Sequence, residues 1–534
     1  MRNQEAVAEE TATVAGQSAP SRINWFHIKK ALITAIGAQA RLGTKAKLAI
    51  SILLFAVSFS IRSIHAVDLQ PLMYTKDEPG RGMSGQYDQE ASWIFSGRGI
   101  LVPDDWGPSD TSLLVHAPGY PMFLAAIYTL DRRSYFYAQL VQNIVNSFGP
   151  VIMFLLAGEL LSWPVGIVSG VLAAGSHHLA YFSNLILPDS VCALPLLAAM
   201  YFLVKARRRQ RRWALYTLSG LMIGVSIWLR PNALLIGPFV AVILVILARD
   251  RRREFKRAWI VAAVPILTIA PITIRNYLLF HQFVLISANT GIVMLEGVAN
   301  ASEGRFGPLP GDDKQVGHME SIWYNDPRYE HGWAEPDGIK RDRDRVKRSL
   351  SIIIRHPVWF AGSMLGRMRD MLSYVADADL VRRQPPPPPE FSPEGQLLLF
   401  REYDLKTDVD TGLNFSANRR TVEFCLAFGH ALNWARAGTR TLERITKETS
   451  EPMILLGLPF VLFLSVRRGL LLLAIPLYYL LVQSTLHTEF RYTLPMHYFL
   501  FVFAATVWVI IGWCVWSLVA RGRRRFKRSA ETSL

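Results

Sequence analysis

Acidic residues in the first long polar segment have the types and spacing that proton transfer needs. Lys76-Asp77-Glu78 is followed by the run Tyr87-Asp88-Gln89-Glu90-Ala91. A general base requires a carboxylate that is within hydrogen-bond reach of the proton and is tuned by a low-dielectric site. One of these carboxylates could therefore deprotonate an acceptor hydroxyl or amine. The alternative is that they are ordinary solvated acids of a loop.

A histidine and a lone aspartate stand at two further turns. His116 opens the run His116–Pro121, in which two prolines bracket a glycine and fix a sharp turn. This turn favours a rigid entry to the following helix, although His116 could also face a site. Asp189 follows Pro188 between two apolar segments, where an acid is typical of a helix N-cap. The cap role and a role in a functional site are compatible.

Three arginines lie at the boundaries of apolar segments. With their neighbours they occur as Arg230-Pro231, Arg275-Asn276-Tyr277 and Arg491-Tyr492, with His487 close to the last pair. Three guanidinium groups at one depth could converge on a phosphate, which arginine binds bidentately. The alternative is that each arginine separately extends to the lipid headgroups.

The composition favours a membrane protein as the framework for these residues. The 534 residues are 51% hydrophobic and 19% charged, with a net charge of +16, and the mean hydropathy is +0.21. This excludes a disordered chain, a collagen and a disulfide scaffold. A basic, apolar chain either binds nucleic acid or carries its positive charges in the cytoplasmic loops of a membrane protein.

Apolar segments of spanning length predict a mainly α, polytopic α-helical membrane protein with about ten or more transmembrane helices. The first 46 residues lack the pattern of a cleaved signal peptide, so the first span is expected to remain as an anchor. The predicted spans are 48–64, 138–161, 163–182, 185–204, 213–229, 231–248, 258–275, 452–466, 469–486 and 495–519.

The basic clusters fix the predicted sidedness. With the N-terminus in the cytoplasm, the segments 205–212, 249–257, 467–468 and 521–528 all fall inside, as the positive-inside rule requires. The clusters are short and lack interleaved aromatic residues, so a nucleic-acid partner is excluded. The segments 65–137 and 276–451 fall outside. Tyr120–Leu130, too short to span, is predicted to be an interfacial helix.

Five regions follow from this topology. They are a cytoplasmic N-terminal segment (1–46), a transmembrane catalytic core (47–275) with the first outer loop (65–137), an outer segment (276–451) with a proline-rich spacer (385–389), C-terminal transmembrane helices (452–520) and a basic cytoplasmic tail (521–534).

The sequence itself requires no metal or nucleotide. It has three cysteines without a CxxC pattern, and it lacks the glycine-rich phosphate loop GxxxxGK[ST]. His177 and His178 are adjacent, so their side chains do not face one another on a helix. We therefore expect no required cofactor, although a divalent cation is possible.

In this order, the motifs resemble the GT-C superfamily of polytopic glycosyltransferases, in the bacterial branch that is similar to protein O-mannosyltransferases and the lipid A aminoarabinose transferase. The resemblance covers roughly 45–520. It rests on Tyr87 and Ala91, Pro118–Pro121, Asp189, Leu229–Pro231, Arg275–Tyr277 with Phe283–Gly291, His356-Pro357, and Arg491, Tyr492 and Pro495.

One position departs from the family pattern. The family's catalytic acid usually stands four residues before the tyrosine, where this chain has Met83. Asp88 is favoured in its place because it lies in the segment expected to form the first interfacial helix. Asp77-Glu78 is similar in composition to the family's acidic pair and remains the rival.

The resemblance implies transfer of a sugar from a polyprenyl-phosphate-linked donor to an acceptor of unknown identity, with inversion, on the outer face of a bacterial inner membrane. Its catalytic residues would be Asp88, Asp77, Glu78 and Asp189. The donor phosphate would be bound by Arg275, Arg491, Arg230, Tyr492 and His487, and the substrates would be positioned by Tyr87, His116, Tyr120 and Asn276.

Two other classes of protein fit the same spans and arginines. One is a transporter or flippase of lipid-linked sugars, which the lack of an inverted repeat disfavours. The other is a non-catalytic scaffold for envelope assembly. Either way, the lipid bilayer surrounds the chain.

Overall fold

The computed structural model describes most of the chain. It covers 42–70, 81–98, 114–130, 134–208, 213–330, 332, 334–372, 421, 423–425, 427–429 and 431–532. The proline-rich spacer 385–389, the acids Asp77 and Glu78 and the first 41 residues lie outside the described residues.

Helices make up the architecture, and the described residues contain no strand. The first eleven are α1 (Thr44–Leu69), α2 (Arg81–Trp93), α3 (Gly119–Tyr128), α4 (Tyr135–Leu160), α5 (Trp163–Ala174), α6 (His177–Phe182), α7 (Pro188–Val191), α8 (Ala193–Arg208), α9 (Trp213–Leu229), α10 (Ile236–Ile246) and α11 (Arg251–Phe280). The rest are α12 (Thr290–Ser302), α13 (Asp313–Tyr324), α14 (Gly338–Arg355), α15 (Pro357–Leu372), α16 (Asn433–Leu464), α17 (Val466–Gln483) and α18 (Leu494–Thr532).

Within the described residues, six helical segments are long and apolar enough to cross a membrane. They are Thr44–Leu69, Tyr135–Leu160, Pro188–Arg207, Arg251–Phe280, Val466–Gln483 and Phe490–Ala520. The other four predicted spans form shorter apolar helices, which are Trp163–Ala174, Trp213–Leu229, Pro231–Ile246 and Pro452–Leu464. The mainly α, polytopic membrane fold is therefore confirmed.

Small residues allow the helices to approach closely. Gly220 and Gly224 lie one turn apart on α9, and both face α11. A Cβ atom at Gly220 would lie 2.7 Å from Cβ of Val264, and one at Gly224 would lie 2.6 Å from Cβ of Thr268. This is the small-xxx-small spacing by which helices pack in membranes, where lipid tails provide no hydrophobic driving force. Because α9 is held in this way, the position of its C-terminal end is set.

Helix α3 is the segment predicted to be interfacial, and it packs against the helices around it. Tyr120 and Leu124 are fully buried. A Cβ atom at Gly119 would lie 2.4 Å from the carbonyl oxygen of Trp228, near the end of α9. The Pro118–Pro121 turn thus places α3 directly against Trp228 and Leu229, the two residues before Arg230. Gly119 is required because a Cβ atom would keep the two backbones apart.

A separate group of helices follows α11. The backbone N–H of Gly291, at the start of α12, donates to Oδ1 of Asp342 at 2.7 Å. Glu320 of α13 accepts hydrogen bonds from Nε of Arg341 at 2.6 Å and Nε of Arg345 at 2.7 Å on α14. All three side chains are only 1% exposed. Helix α16 then runs without interruption across the predicted boundary at 451–452.

The Glu320→Gln substitution should destabilise the protein, because it leaves two buried guanidinium groups without their anion. Breaking a buried ion pair costs about 3–5 kcal/mol. We expect a clear drop in the melting temperature of the purified protein in detergent. Asp326→Asn is the matched control, because its partner Arg328 is exposed to solvent. Equal melting temperatures for the two variants would contradict the structural role of Glu320.

Candidate functional site

Asp189 and Arg230 form a buried ion pair between two helix ends. Asp189 lies in the first turn of α7 and is 1% exposed, and its Oδ1 contacts Nη1 of Arg230, just after α9. Leu187 occupies the N-cap position of α7, so the interpretation of Asp189 as the cap is wrong. Among the described residues, neither oxygen of Asp189 receives a hydrogen bond from a donor other than Arg230. The carboxylate can therefore still accept a hydrogen bond from a hydroxyl group of a substrate.

A second arginine reaches the same place from near the end of the chain. A 3₁₀ turn, Phe490–Thr493, carries Arg491, whose Nε lies 2.7 Å from Oε2 of Glu489. The Tyr492 ring lies close to both arginines. Its centroid is 4.4 Å from Cζ of Arg230 and 5.0 Å from Cζ of Arg491. Two guanidinium groups from distant parts of the sequence therefore lie within about 5 Å of one aromatic ring.

Asn232, which the sequence analysis did not select, joins the turn Pro231–Ala233 to the turn Phe490–Thr493. Its Nδ2 donates to the backbone oxygen of Tyr492 at 3.3 Å. Its own backbone oxygen accepts from the Tyr478 hydroxyl at 2.7 Å. The same hydroxyl accepts from the backbone N–H of Leu235 at 3.2 Å. Asn232 follows the Arg230-Pro231 pair closely, and that proximity is the signal that could have identified it.

Tyr87 brings α2 close to the arginines. Its ring lies 4.1 Å from the His116 ring and makes an edge contact with the Tyr120 ring at 5.1 Å between centroids. Burial raises the pKa of the Tyr87 phenol well above its usual range, and nearby charges on Arg230, Asp189, Glu90 and Arg491 also act on it. Tyr87 is therefore a neutral phenol beside the ion pairs and can donate a hydrogen bond.

Glu90 lies in the acidic run Tyr87–Ala91, but the resemblance does not name it among the catalytic residues. Its Oε1 lies 2.9 Å from Nδ1 of His116, and both side chains are nearly buried. Its charge acts on Arg275 and on Tyr87. Glu90 lies three residues after Tyr87 on α2, so the two side chains share one helix face. That spacing was available in the sequence.

Asp88, on the same helix, has a different environment. Its side chain is completely buried, and its Oδ1 accepts a hydrogen bond from the hydroxyl of Tyr128 on α3. This contact joins α2 to α3. The other predicted bases, Asp77 and Glu78, lie outside the described residues.

The remaining predicted residues have contacts of several kinds. Nη1 of Arg275 donates to Oδ1 of Asn276 at 2.9 Å. Asn276 is fully buried, and its Nδ2 donates to the backbone oxygens of Val284 and Ile286, which holds the turn after α11. Tyr120 donates its hydroxyl proton to Gln142 on α4. In the structure, the side chains of Asn276 and Tyr120 thus form hydrogen bonds to other residues of the protein.

His487 lies at the rim of the arginine pair. Its Nε2 is 3.9 Å from Oε1 of Glu489, and its Nδ1 is 3.2 Å from Nδ2 of Asn300 on α12. It therefore connects the turn before Arg491 to α12.

The arrangement combines anion-binding groups with acids that can accept a proton. Two arginines supply fixed, largely desolvated positive charge, where electrostatic interactions are strengthened. Asp189 and Glu489 balance the charge of the two arginines, and Asp189 and Glu90 are the acids whose charges act on the Tyr87 phenol. For the described residues, the one compact group of histidine and acid side chains with metal-ligand spacing is His65, His177 and Glu443, none of which contributes to this arrangement.

Comparison with known families supports the resemblance predicted from the sequence. Residues 115–274 match the model of the family described as dolichyl-phosphate-mannose-protein mannosyltransferase. The match takes in His116, Asp189 and Arg230, and it ends one residue before Arg275. The resemblance to GT-C glycosyltransferases is confirmed by this match. No curated protein matches the chain.

Solved structures of an archaeal enzyme are also similar to the chain. The Archaeoglobus fulgidus oligosaccharyltransferase in its apo form is 12% identical, with a TM-score of 0.44, over 88% of this chain and 51% of that one. The enzyme AglB from the same organism, in complex with an inhibitory peptide and a dolichol-phosphate, is 12% identical, with a TM-score of 0.46, over 89% of this chain and 52% of that one. This chain spans about half the length of those it matches.

Proposed function

We propose that this protein is a membrane glycosyltransferase that moves a sugar from a polyprenyl-phosphate-linked donor to an acceptor. The family matched by residues 115–274 carries a lipid phosphate in its description, which supports this class of donor. The geometry of the arginine pair supports it independently. Neither the sugar nor the acceptor, whether lipid, protein or glycan, is specified by these residues.

The observation that carries the proposal is that Arg230 and Arg491 lie close to the same Tyr492 ring. Arg230 is anchored by Asp189 and Arg491 by Glu489. Each guanidinium has five N–H donors in a planar fork, so an anchored arginine can still donate to phosphate oxygens. The lipid phosphate is the leaving group of the reaction. Stabilising the charge that develops on it is a large catalytic effect.

Acceptor activation is assigned to Glu90, with His116 orienting it. The acceptor oxygen or nitrogen attacks the anomeric carbon, and the bond from that carbon to the phosphate oxygen breaks. The proton of the acceptor passes to the Glu90 carboxylate, and the polyprenyl phosphate leaves as an anion held by the arginines. Attack opposite to the leaving group inverts the anomeric carbon. Asp189 accepts a hydrogen bond from a hydroxyl of the bound sugar. The positive charge of Arg275 balances the negative charge of Glu90.

The reaction is assigned to the outer face of a bacterial inner membrane. The basic clusters 249–257 and 467–468 lie at the opposite helix ends from Arg230, Arg275 and Arg491. If those clusters face the cytoplasm, as the positive-inside rule predicts, the arginine pair faces outward. Nucleotide sugars are cytoplasmic, so a donor at this face carries its sugar on a lipid.

Arg491→Lys should reduce transfer about 10²–10³-fold, the usual effect of removing one donor to a developing anion. Lysine keeps the charge but loses the planar fork and the stacking on Tyr492. Transfer is measured in proteoliposomes with radiolabelled polyprenyl-phosphate mannose, with a polyprenyl-phosphate pentose in parallel. Arg328→Lys, at an exposed arginine, is the matched control and should retain full transfer. Undiminished transfer by Arg491→Lys, or movement of the donor across the bilayer without transfer by the unaltered protein, contradicts the proposal.

Glu90→Gln should lower the transfer rate about 10²–10⁴-fold, because an amide cannot act as a general base. Asp88→Asn keeps an oxygen that accepts the hydrogen bond from Tyr128, so we expect a much smaller loss. Asp77→Asn and Glu78→Gln are measured in the same assay. The assignment of Glu90 fails if its variant stays active while one of the other three loses transfer.

Cysteine labelling in intact cells tests the sidedness. In a background in which Cys192, Cys425 and Cys514 are serine, Arg305→Cys should react with a membrane-impermeant maleimide in intact cells. Arg252→Cys should react only after permeabilisation. Both positions are exposed in the structure. The opposite pattern would place the arginine pair on the cytoplasmic face.

A further inference from the structure

His65, His177 and Glu443 form a compact cluster at the meeting point of three helices. His65 lies in the last two turns of α1, His177 is the first residue of α6, and Glu443 lies on α16. Nε2 of His65 is 2.8 Å from Oε1 of Glu443, and Nδ1 of His177 is 3.3 Å from Oε2. One ligand atom from each residue lies within 4.8 Å of the other two.

We propose that these three residues bind one zinc ion. Two imidazoles and one carboxylate are a ligand set that zinc adopts in proteins, usually with a water in the fourth position. Magnesium and calcium prefer all-oxygen ligands, so the two nitrogen donors favour zinc. With bonds of about 2.0–2.2 Å, ligand atoms of a tetrahedral site stand roughly 3.3–3.5 Å apart. The observed separations are close enough to reach this geometry by small side-chain shifts.

The surroundings of the cluster support a cation with coordinated water. The side chains of His65, Glu443 and His177 are only 4%, 7% and 11% exposed. A carboxylate so well removed from solvent needs positive charge close to it. Oγ1 of Thr446, one turn after Glu443, is buried and has no hydrogen-bond partner among the described residues. A water held by the ion could hydrogen-bond to this hydroxyl, because a buried polar atom without a protein partner points to a bound group.

Zinc at this point would fasten α16 to the first transmembrane helix. Closer to the outer end of α1, Nε of Arg436 on α16 donates to Oδ1 of Asp68 at 2.9 Å. The Gly175 backbone, just before α6, approaches α16 so closely that a Cβ atom would lie 2.7 Å from Cγ of Leu442. The three helices are thus already in contact around the cluster. The ion would replace a hydrogen-bonded histidine–glutamate network with three coordinate bonds.

The test uses the full-length, tag-free protein purified in detergent. After treatment with a chelator, zinc is titrated in competition with a chromophoric chelator, and the metal content is measured by mass spectrometry. We expect one zinc ion per chain. His65→Ala, His177→Ala and Glu443→Gln should each weaken binding by more than about 100-fold, the upper end of the effect of losing an outer-shell partner.

His318→Ala removes a solvent-exposed histidine and is the matched control, which should bind zinc as the unaltered protein does. Cobalt(II) bound to the unaltered protein should show the intense visible absorption of a tetrahedral site, a readout that remains valid if a variant fails to fold. The proposal is overturned if the unaltered protein binds no zinc at equimolar concentration, if folded variants bind it equally well, or if cobalt shows only an octahedral spectrum.

Discussion

The ion pair between Asp189 and Arg230 is the interaction on which the site depends. A carboxylate that is almost fully buried requires a cation at contact distance, and Arg230 is delivered to it by the end of α9. Pro231 follows directly and starts a 3₁₀ turn. Helix α9 therefore ends at a defined point, and Arg230 lies just beyond it. Close packing of α9 on α11, and of Gly119 on the end of α9, sets that point and with it the place of Tyr87.

The C-terminal helices complete the site because they bring the second arginine to the first. Tyr492 stacks on Arg230, and Asn232 binds the Tyr492 backbone, although the two parts of the chain are 260 residues apart. Tyr478 on α17 holds Asn232 in turn. Each charged group is thus carried on a helix end or a short turn that is braced by a second element. Such bracing keeps a catalytic group within the small tolerance that transition-state stabilisation requires.

The sequence was sufficient for the fold, since apolar length and basic clusters are local signals. It predicted three converging arginines, and the contacts in the structure bring two of them, Arg230 and Arg491, to one ring. It also carried two signals that were not used. The i, i+3 spacing of Tyr87 and Glu90 places both on one face of α2, and Pro188 at the first position of α7 assigns the cap to Leu187 rather than Asp189. The burial of Asp88 against Tyr128 could not be foreseen, because it depends on how α2 and α3 pack together. Contacts between residues hundreds of positions apart have no local signature.

The cluster of His65, His177 and Glu443 shows why such distant contacts matter for the site. His177 begins α6, and the next residue, His178, packs its ring on Phe490 at 4.9 Å between centroids. Phe490 immediately precedes Arg491. A continuous line of packed groups therefore joins α16, through Glu443 and α6, to the second arginine. Because close-packed interiors transmit displacement, whatever fastens Glu443 to His177 also limits how far the Phe490–Thr493 turn can move. Helix α16 thereby contributes to the arginine pair without supplying a residue to it.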